Sequence, residues 1–584
     1  MSREEAPGEE GFRKFEDFLE HWSRRDFVKR MGIGAAYTAF LAGGVEFMEA
    51  CANAGSGTST TTVAPKKGGH VVEANFSDLK TMNPVLSSDT VSNTIIGFLY
   101  DSLLTSKPNG DLIPALAKDL PKTSSDGTTY TITLRDNIKW TDGSPITADD
   151  VKFTYDLMFD PQYKDVNSPR RGDLETYVQS ITVKDPKTIV FALKKVYAPF
   201  APAQLQYGIL PKKVWGALAP KEVNTTDLNT NPQVTSGIFK FQKWDKGQQV
   251  TLARNDTYWQ GASYLDTYIY KVVPDSVAVG NQLKTGEIDF GPIDPSQYSA
   301  LQGNPDFQIT TFPVPTFTFY AYNQNSNAKA APLFTDKAVR QALVYALDRQ
   351  GMVDSIWFKL AVVAVSSMPP VSWAYDANAK PQYSHDPAKA NSMLDAAGWA
   401  KGSDGFRAKG GNKLQFTMIT NAGNKQRESA LVAMQDAWKQ IGVDATPKLI
   451  TFPQLVAQIT NDRSFDVFLV GFNWSQDPDQ SALWHSRNTA PGGFNGFGYK
   501  SATVDKILDD AVGTLDQSKR KQLYFQMQDA LNDEVPAPIL NFTKGIYGIN
   551  KRVQGITGGD IALGTYTQYF SRPWLKNTFV TDGK

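Results

Sequence analysis

Residues Asp126–Thr154 read D-G-T-T-Y-T-I-T-L-R-D-N-I-K-W-T-D-G-S-P-I-T-A-D-D-V-K-F-T. Thr128–Lys139 alternates with period two behind an Asp126-Gly127 turn, which makes it hairpin material. Trp140, Asp142-Gly143 and Pro145 build the next turn. Thr147 then caps a helix whose first turn carries Asp149 and Asp150. A hairpin feeding a capped helix sets the pattern for the whole chain: mixed strands and helices, hence α/β.

The same periodicities extend in both directions. A short strand opens at Gly68–Ala74, and Val91–Leu104 has the three- and four-residue apolar spacing of a helix. Thr188–Leu193, Gln249–Arg254, Leu414–Thr420 and Asp466–Val470 read as strands. Thr335–Arg349 is the cleanest amphipathic helix, and Asp386–Gly398, Glu428–Ile441 and Ser518–Leu531 are three more. The chain has 584 residues, enough for several lobes with large cores.

Composition removes several classes. Sixty basic and sixty acidic side chains leave no net charge, against a nucleic-acid binder that works by counterion release. Cys51 is the single cysteine, so no internal disulfide framework and no Cys-based metal site is available. Aromatic residues make up 12%, with 12 Trp and 23 Tyr, which suits a surface or cleft that recognises ligands.

The N-terminus reads as an address. Ser23–Arg30 is S-R-R-D-F-V-K-R, with paired Arg24 and Arg25, and Met31–Val45 carries no charge. As a helix that run rises only ~22 Å, short of a ~30 Å hydrocarbon core. A basic pair, a modest apolar run and small residues are the order of a twin-arginine export signal. Cys51 ends the run and precedes a Gly/Ser/Thr tether, as in a bacterial lipoprotein, while Ala52-Asn53-Ala54 offers an alternative A-x-A cut. Both readings put the protein outside the cytoplasm.

Catalytic motifs are sparse. His21, His70, His385 and His485 are scattered, and the body has no H-E-x-x-H, Walker loop or G-x-S-x-G elbow. His485 reads as a packed or capping histidine, and Asp477-Pro478-Asp479 as a turn capped by its own carboxylates. Gly492–Gly498 reads as a loop close to a ligand or a lobe interface.

Taken in order, a series of motifs resembles the extracytoplasmic solute-binding proteins of family 5, the oligopeptide/dipeptide-binding components of ABC importers. They are M-N-P at Met82–Pro84, L-Y-D-S-L-L at Leu99–Leu104, G-D-L-I-P-A-L-A at Gly110–Ala117 and the Asp126–Thr154 stretch itself. S-G-I-F-K-F at Ser236–Phe241, R-N-D-T-Y-W at Arg254–Trp259, L-K-T-G-E-I-D-F at Leu283–Phe290 and V-R-Q-A-L-V-Y-A-L-D-R at Val339–Arg349 follow. Ala397–Trp399, Asp477–Asp479 and V-P-A-P-I-L at Val535–Leu540 complete the series.

The resemblance implies a two-lobe periplasmic-binding-protein-like fold (type II) with a hinge and a small additional domain. Residues 1–51 form the signal and 52–66 the tether. Lobe I takes 67–108, 181–322 and 541–584, the extra domain 109–180, and lobe II 323–540. It also implies a non-enzymatic receptor, without cofactor or metal, monomeric and bound to no nucleic acid. This receptor hands an organic solute to an ABC permease and its ATPase, with membrane contact through any lipid on Cys51. Peptides lead; oligosaccharides, metal chelates and a secreted α/β hydrolase are the alternatives. The ligand segments implied are Ser88 and Asp89, then Tyr320, Tyr322 and Asn323 on a crossover strand, then Phe472, Asn473, Trp474 and Asp477. Asn473-Trp474-Ser475 stands where peptide-binding members carry an Asp for the ligand's α-amino group.

Overall fold

Residues with alternating polarity become strands where both their faces find cover. The computed structural model describes residues 64–107, 111–475, 477–490, 493–556 and 573–582; Arg24, Arg25, Cys51 and the start of the tether lie outside them. In chain order the strands used below are β1 (His70–Asn75), β2 (Lys122–Thr123), β3 (Thr129–Thr133), β4 (Val178–Asp185), β5 (Thr188–Leu193), β6 (Phe239–Asp245), β7 (Gln249–Arg254) and β8 (Thr267–Val272). Then come β9 (Phe290–Pro292), β10 (Phe307–Tyr322), β11 (Ala361–Val363), β12 (Gln415–Asn421), β13 (Asp444–Ile450), β14 (Val467–Asn473) and β15 (Ile539–Asn550). The helices are α1 (Thr90–Leu99), α2 (Ala148–Phe159), α3 (Arg171–Tyr177), α4 (Lys337–Tyr345), α5 (Arg349–Ile356), α6 (Pro387–Ala396), α7 (Lys425–Gln440), α8 (Ala502–Val512) and α9 (Gln517–Glu534).

An 11-stranded sheet runs in the order β13-β12-β14-β10-β15-β9-β1-β8-β7-β6, with β11 added beside β15. Its two ends form two lobes, and β10 and β15 belong to both. Residues Phe307–Pro313 pair with Lys544–Asn550 in the first lobe, while Phe317–Phe319 pair with Ile539–Phe542 in the second. Register slips between Pro313 and Phe317, and again between Thr318 and Phe319. Proline cannot donate to the ladder, so Pro313 and Pro315 sit where pairing is broken.

Beyond the slips, β10 buries both faces. Phe317, Phe319 and Ala321 enter one hydrophobic core with Trp474 and Phe542, whereas Tyr320 and Tyr322 enter another with Phe334 and Trp438. Both clusters cover the sheet of the second lobe, as the two-sided cover of an α/β lobe requires.

The extra domain is a four-stranded sheet, β2-β3-β5-β4. Its boundary differs from the one expected at residue 180. Antiparallel pairing of Ile181 with Phe191 and of Val183 with Ile189 carries the chain through Leu193 into this sheet rather than into the first lobe. The Thr147 helix start appears as α2 with a full capping box, Thr147 N donating to Asp150 Oδ2 at 2.9 Å. The helix expected over Thr335–Arg349 divides instead: α4 ends at Tyr345, and Asp348 accepts from Gly351 N to start α5. The stretch expected as a helix to Leu104 stops at Leu99, and Leu104 opens a short strand.

Two distant motifs meet. Asp101 of L-Y-D-S-L-L accepts from Trp259 Nε1 at 2.7 Å and from Tyr258 Oη at 3.1 Å, both of R-N-D-T-Y-W. Asn255 of the same motif donates to Gly237 O at 2.8 Å. Across the described residues these motifs tie loops of the first lobe together.

Candidate functional site

The described residues show where the lobes face each other. Gln426 Nε2 on α7 reaches Asp294 Oδ1 of the first lobe at 3.4 Å. Ala198 N, just past β5, donates to Val512 O at the end of α8 at 2.7 Å. Leu515 packs over Gly127, where an added Cβ would stand 2.5 Å from Leu515 Cδ1; with φ at +72°, only glycine suits that turn. These contacts bracket a cleft between the lobes.

The second lobe's wall is the end of β14. Trp474 is 6% exposed, stacks on Phe317 at 5.3 Å and donates Nε1 to Ser367 O at 3.0 Å. Phe472 and Asn473 are half-buried beside it, and Asn473 Oδ1 accepts from Thr316 Oγ1 at 2.8 Å. Ser88 is exposed, and Asp89 caps α1 by accepting from Ser92 N at 2.8 Å; its other oxygen, Oδ2, is buried without a protein partner.

Other expected ligand residues turn out to be scaffold. Tyr320 and Tyr322 are fully buried, with Tyr322 Oη donating to Arg340 O at 3.2 Å. They point into the core because the face of β10 expected toward the ligand is covered by helices. Asn323 spends its amide on Arg463 O and Phe465 O, at 2.9 and 2.7 Å. Asp477 forms a two-pronged ion pair with Arg520, at 2.7 and 3.0 Å, with both side chains 7% exposed. A buried pair of that geometry is costly to break and holds the turn. Asp477 Oδ1 also accepts from Asp479 N, and Asp479 Oδ1 from Ser481 N and Oγ, the self-capped turn expected of D-P-D. His485 is likewise packed and capping: Nδ1 accepts from Arg487 N at 3.2 Å.

One basic residue was missed by the sequence reading. Arg427, in the first turn of α7 and next to the Gln426 contact, makes no ion pair or side-chain hydrogen bond among the described residues. Its Nε is buried and unpartnered, and its Nη1 would lie 3.0 Å from a Cβ at Gly471 of β14. Burial pulls its pKa down to about 10. A side chain larger than glycine at 471 would crowd the guanidinium. The available signal was K-Q-R at Lys425–Arg427 immediately after the Asn424 cap, where a helix dipole disfavours cations.

Acidic groups gather around Asp479. Asp173 on α3 is solvent-exposed, yet desolvation raises its carboxyl. Burial pushes Asp479 up to about 6, with the neighbouring Asp477 and Asp173 adding to the rise. The stacked Tyr177 and Tyr197 rings, 3.9 Å apart, back this cluster, and Arg487 faces it while pairing with Asp509 at 2.9 Å. The arrangement offers the Arg427 guanidinium, unpaired among the described residues, and an acid-rich patch backed by aromatic rings.

A fold of two lobes joined by paired crossing strands, with its polar groups turned into the cleft, defines a solute-binding receptor of the kind that captures ligand by lobe closure. The chain belongs to the bacterial extracellular solute-binding proteins, family 5, whose middle-region model matches residues 111–494. It therefore works outside the cytoplasm as a receptor rather than an enzyme. It is similar to the oligopeptide-binding protein AppA of Bacillus subtilis (strain 168), 30% identical over 516 residues, which cover 87% of this chain and 93% of that one. Protein XP55 of Streptomyces lividans is 31% identical over 541 residues, 92% of this chain and 94% of that one. The structure of B. subtilis AppA in complex with a nonapeptide gives a TM-score of 0.79 at 29% identity, covering 89% of this chain and 100% of that one. NikZ from Campylobacter jejuni in complex with Ni(L-His) gives 0.75 at 29%, covering 83% and 95%.

The raised Asp479 carboxyl has a pH consequence. Its ordinary value is 3.8, so the folded state holds a proton that the unfolded chain has released. The stability it contributes is complete below about pH 4 and is lost as pH rises through about 6. Asp479→Asn should flatten that part of the stability profile, read as urea midpoints across this range. An unchanged slope would contradict the burial of this group.

Proposed function

We propose that the protein captures peptides in the interlobe cleft and hands them to an ABC permease and its ATPase. The observation that carries this reading is Arg427, a half-buried guanidinium with no anion among the described residues, beside a lobe-to-lobe contact. A peptide's C-terminal carboxylate supplies the partner it lacks, and Arg is suited to hold a carboxylate by two parallel bonds. Phe472, Asn473 and Trp474 form the wall against which the peptide lies, and Ser88 and Asp89 its mouth. The oligopeptide-binding name and the nonapeptide complex of B. subtilis AppA support the choice of ligand. The nickel–histidine complex of NikZ favours one competing ligand, a metal–amino-acid chelate. Both ligands carry a carboxylate, so Arg427 serves either, and ligand length separates them.

The twin-arginine pair Arg24-Arg25 takes the chain out of the cytoplasm, and lipid on Cys51 holds it at the membrane face. In this reading the mature protein is a monomer on a flexible tether.

A ligand bound only by the folded form stabilises it by about 2.7 kcal/mol at a hundredfold excess over Kd. We therefore expect di- to nonapeptides with a free C-terminus to raise the melting temperature by a few degrees. C-terminally amidated versions, and free peptides on Arg427→Gln, should bind roughly tenfold to a hundredfold more weakly, the worth of a charge-assisted hydrogen bond. Equal binding of acid and amide would remove Arg427 from the ligand, and binding of Ni–histidine but no peptide would replace the peptide reading. Trp474→Ala that loses the shift while keeping its unliganded melting temperature would place the indole at the ligand.

The N-terminal assignments have their own test. Replacing Arg24 and Arg25 together by Lys should retain folded protein in the cytoplasm, because ammoniums lack the planar fork. Cys51→Ser should release the exported protein from membranes. An intact mass showing an unlipidated N-terminus at Gly55 would assign the A-x-A cut instead.

A further inference from the structure

A cavity of about 50 Å³ lies inside the second lobe, between the start of α5, the end of α9 and the bend that follows β11. By the same measure a single water needs roughly 10–15 Å³, so there is room for more than one small species. Its charged lining group is Arg349. Arg349 Nη1 donates to Ala364 O at 2.8 Å and to Ile539 O at 3.4 Å, and Nη2 donates to Tyr383 O at 2.7 Å. No carboxylate among the described residues pairs with it. Neighbouring Asp348 is exposed and accepts from Gly351 N. Desolvation lowers the Arg349 pKa, so the cation is held at a cost. Three carbonyl dipoles spread its charge without cancelling it, and its Nε makes no hydrogen bond among the described residues.

Ser366 and Ser367 also line the cavity. Ser367 is 5% exposed and its hydroxyl is buried with no partner. Among the described residues, the backbone N–H groups of Ser366 and Ser367 likewise find no protein acceptor. Successive free N–H groups at a bend are the material of anion-binding concavities. Negative competitors at this spot are already engaged: at the end of α9 the carbonyls of Asn532, Asp533 and Glu534 accept from Tyr383, Gln341 and Arg340.

We propose that this cavity binds a small monovalent anion, of chloride or formate size, held by the Arg349 guanidinium, the Ser367 hydroxyl and the Ser366–Ser367 amides. The anion completes the hydrogen bonding of donors that the protein leaves open and neutralises an enclosed cation. Ser367 turns its carbonyl the other way, toward Trp474 and Gln480 at 3.0 and 3.1 Å. The site thus lies behind the cleft wall and is separate from the Arg427 position.

The test uses the exported protein without added peptide. Melting temperatures are compared in sodium chloride, sodium bromide and sodium formate, against sodium gluconate at equal ionic strength, since gluconate is too large for the cavity. A saturable rise with one or more of the small anions and none with gluconate is expected; the halide and formate arms show which chemistry the cavity prefers. Ser367→Ala should raise the half-saturating concentration several-fold while leaving the melting temperature in gluconate unchanged. Crystals grown in bromide should show an anomalous peak at hydrogen-bond distance from Arg349 Nε. Identical melting in all four salts together with no bromide peak would make the cavity a water site and overturn the proposal. Arg349→Met should abolish the salt difference; if that variant fails to fold, Ser367→Ala and the bromide peak decide the matter.

Discussion

Strands β10 and β15 run side by side from one lobe into the other, and the rest of the molecule hangs on where their pairing fails. In-register bonds hold Phe307–Pro313 to Lys544–Asn550, and a second set holds Phe317–Phe319 to Ile539–Phe542. Pro313 ends the first set and Pro315 stands in the gap, and neither has an N–H to give to the ladder. A ladder whose register slips between Pro313 and Phe317, and again between Thr318 and Phe319, lets two packed lobes turn about it without unpacking either core. Among the described residues, neither core cluster of the second lobe includes residues from β1 or β6 to β8.

Around the hinge, charge is distributed unevenly. Arg427, packed against Gly471 of β14, has no anion among the described residues, while Asp173 and Asp479 hold raised carboxyls. A folded protein tolerates such unpaired groups where a ligand completes them, and a zwitterionic peptide brings both signs. Asp477, by contrast, is neutralised by Arg520 inside the second lobe and supports the turn on which Asp479 sits.

Much of this was legible in the sequence because it is local. The Thr147 capping box, the period-two strand Thr188–Leu193 and the helix beginning near Asp516 depend on residues within a few positions of one another. The ordered motifs also carried the family. What local pattern concealed was the environment of each face. The family resemblance implied Tyr320 and Tyr322 as ligand residues, but a motif does not say what covers its face, and here α7 and its neighbours cover it with Trp438 and Phe334. Asp477 read as a ligand group because its partner Arg520 is remote in sequence. Arg427 was overlooked because a cation in a helix's first turn draws notice only once every acid around it is accounted for. The extra domain ran past residue 180 because β4 and β5 form a hairpin whose cross-strand partners lie earlier, in β3.

The account's central claim is that this chain holds a peptide intact between its lobes. Native mass spectrometry of the exported protein, purified without denaturant from a peptide-rich medium, tests it most directly. The account predicts one-to-one adducts that sequence as peptides of uncut termini and that disappear when Arg427 is replaced by Gln. Adducts that carry nickel or sugar, or peptides recovered only as cleavage products, would contradict it.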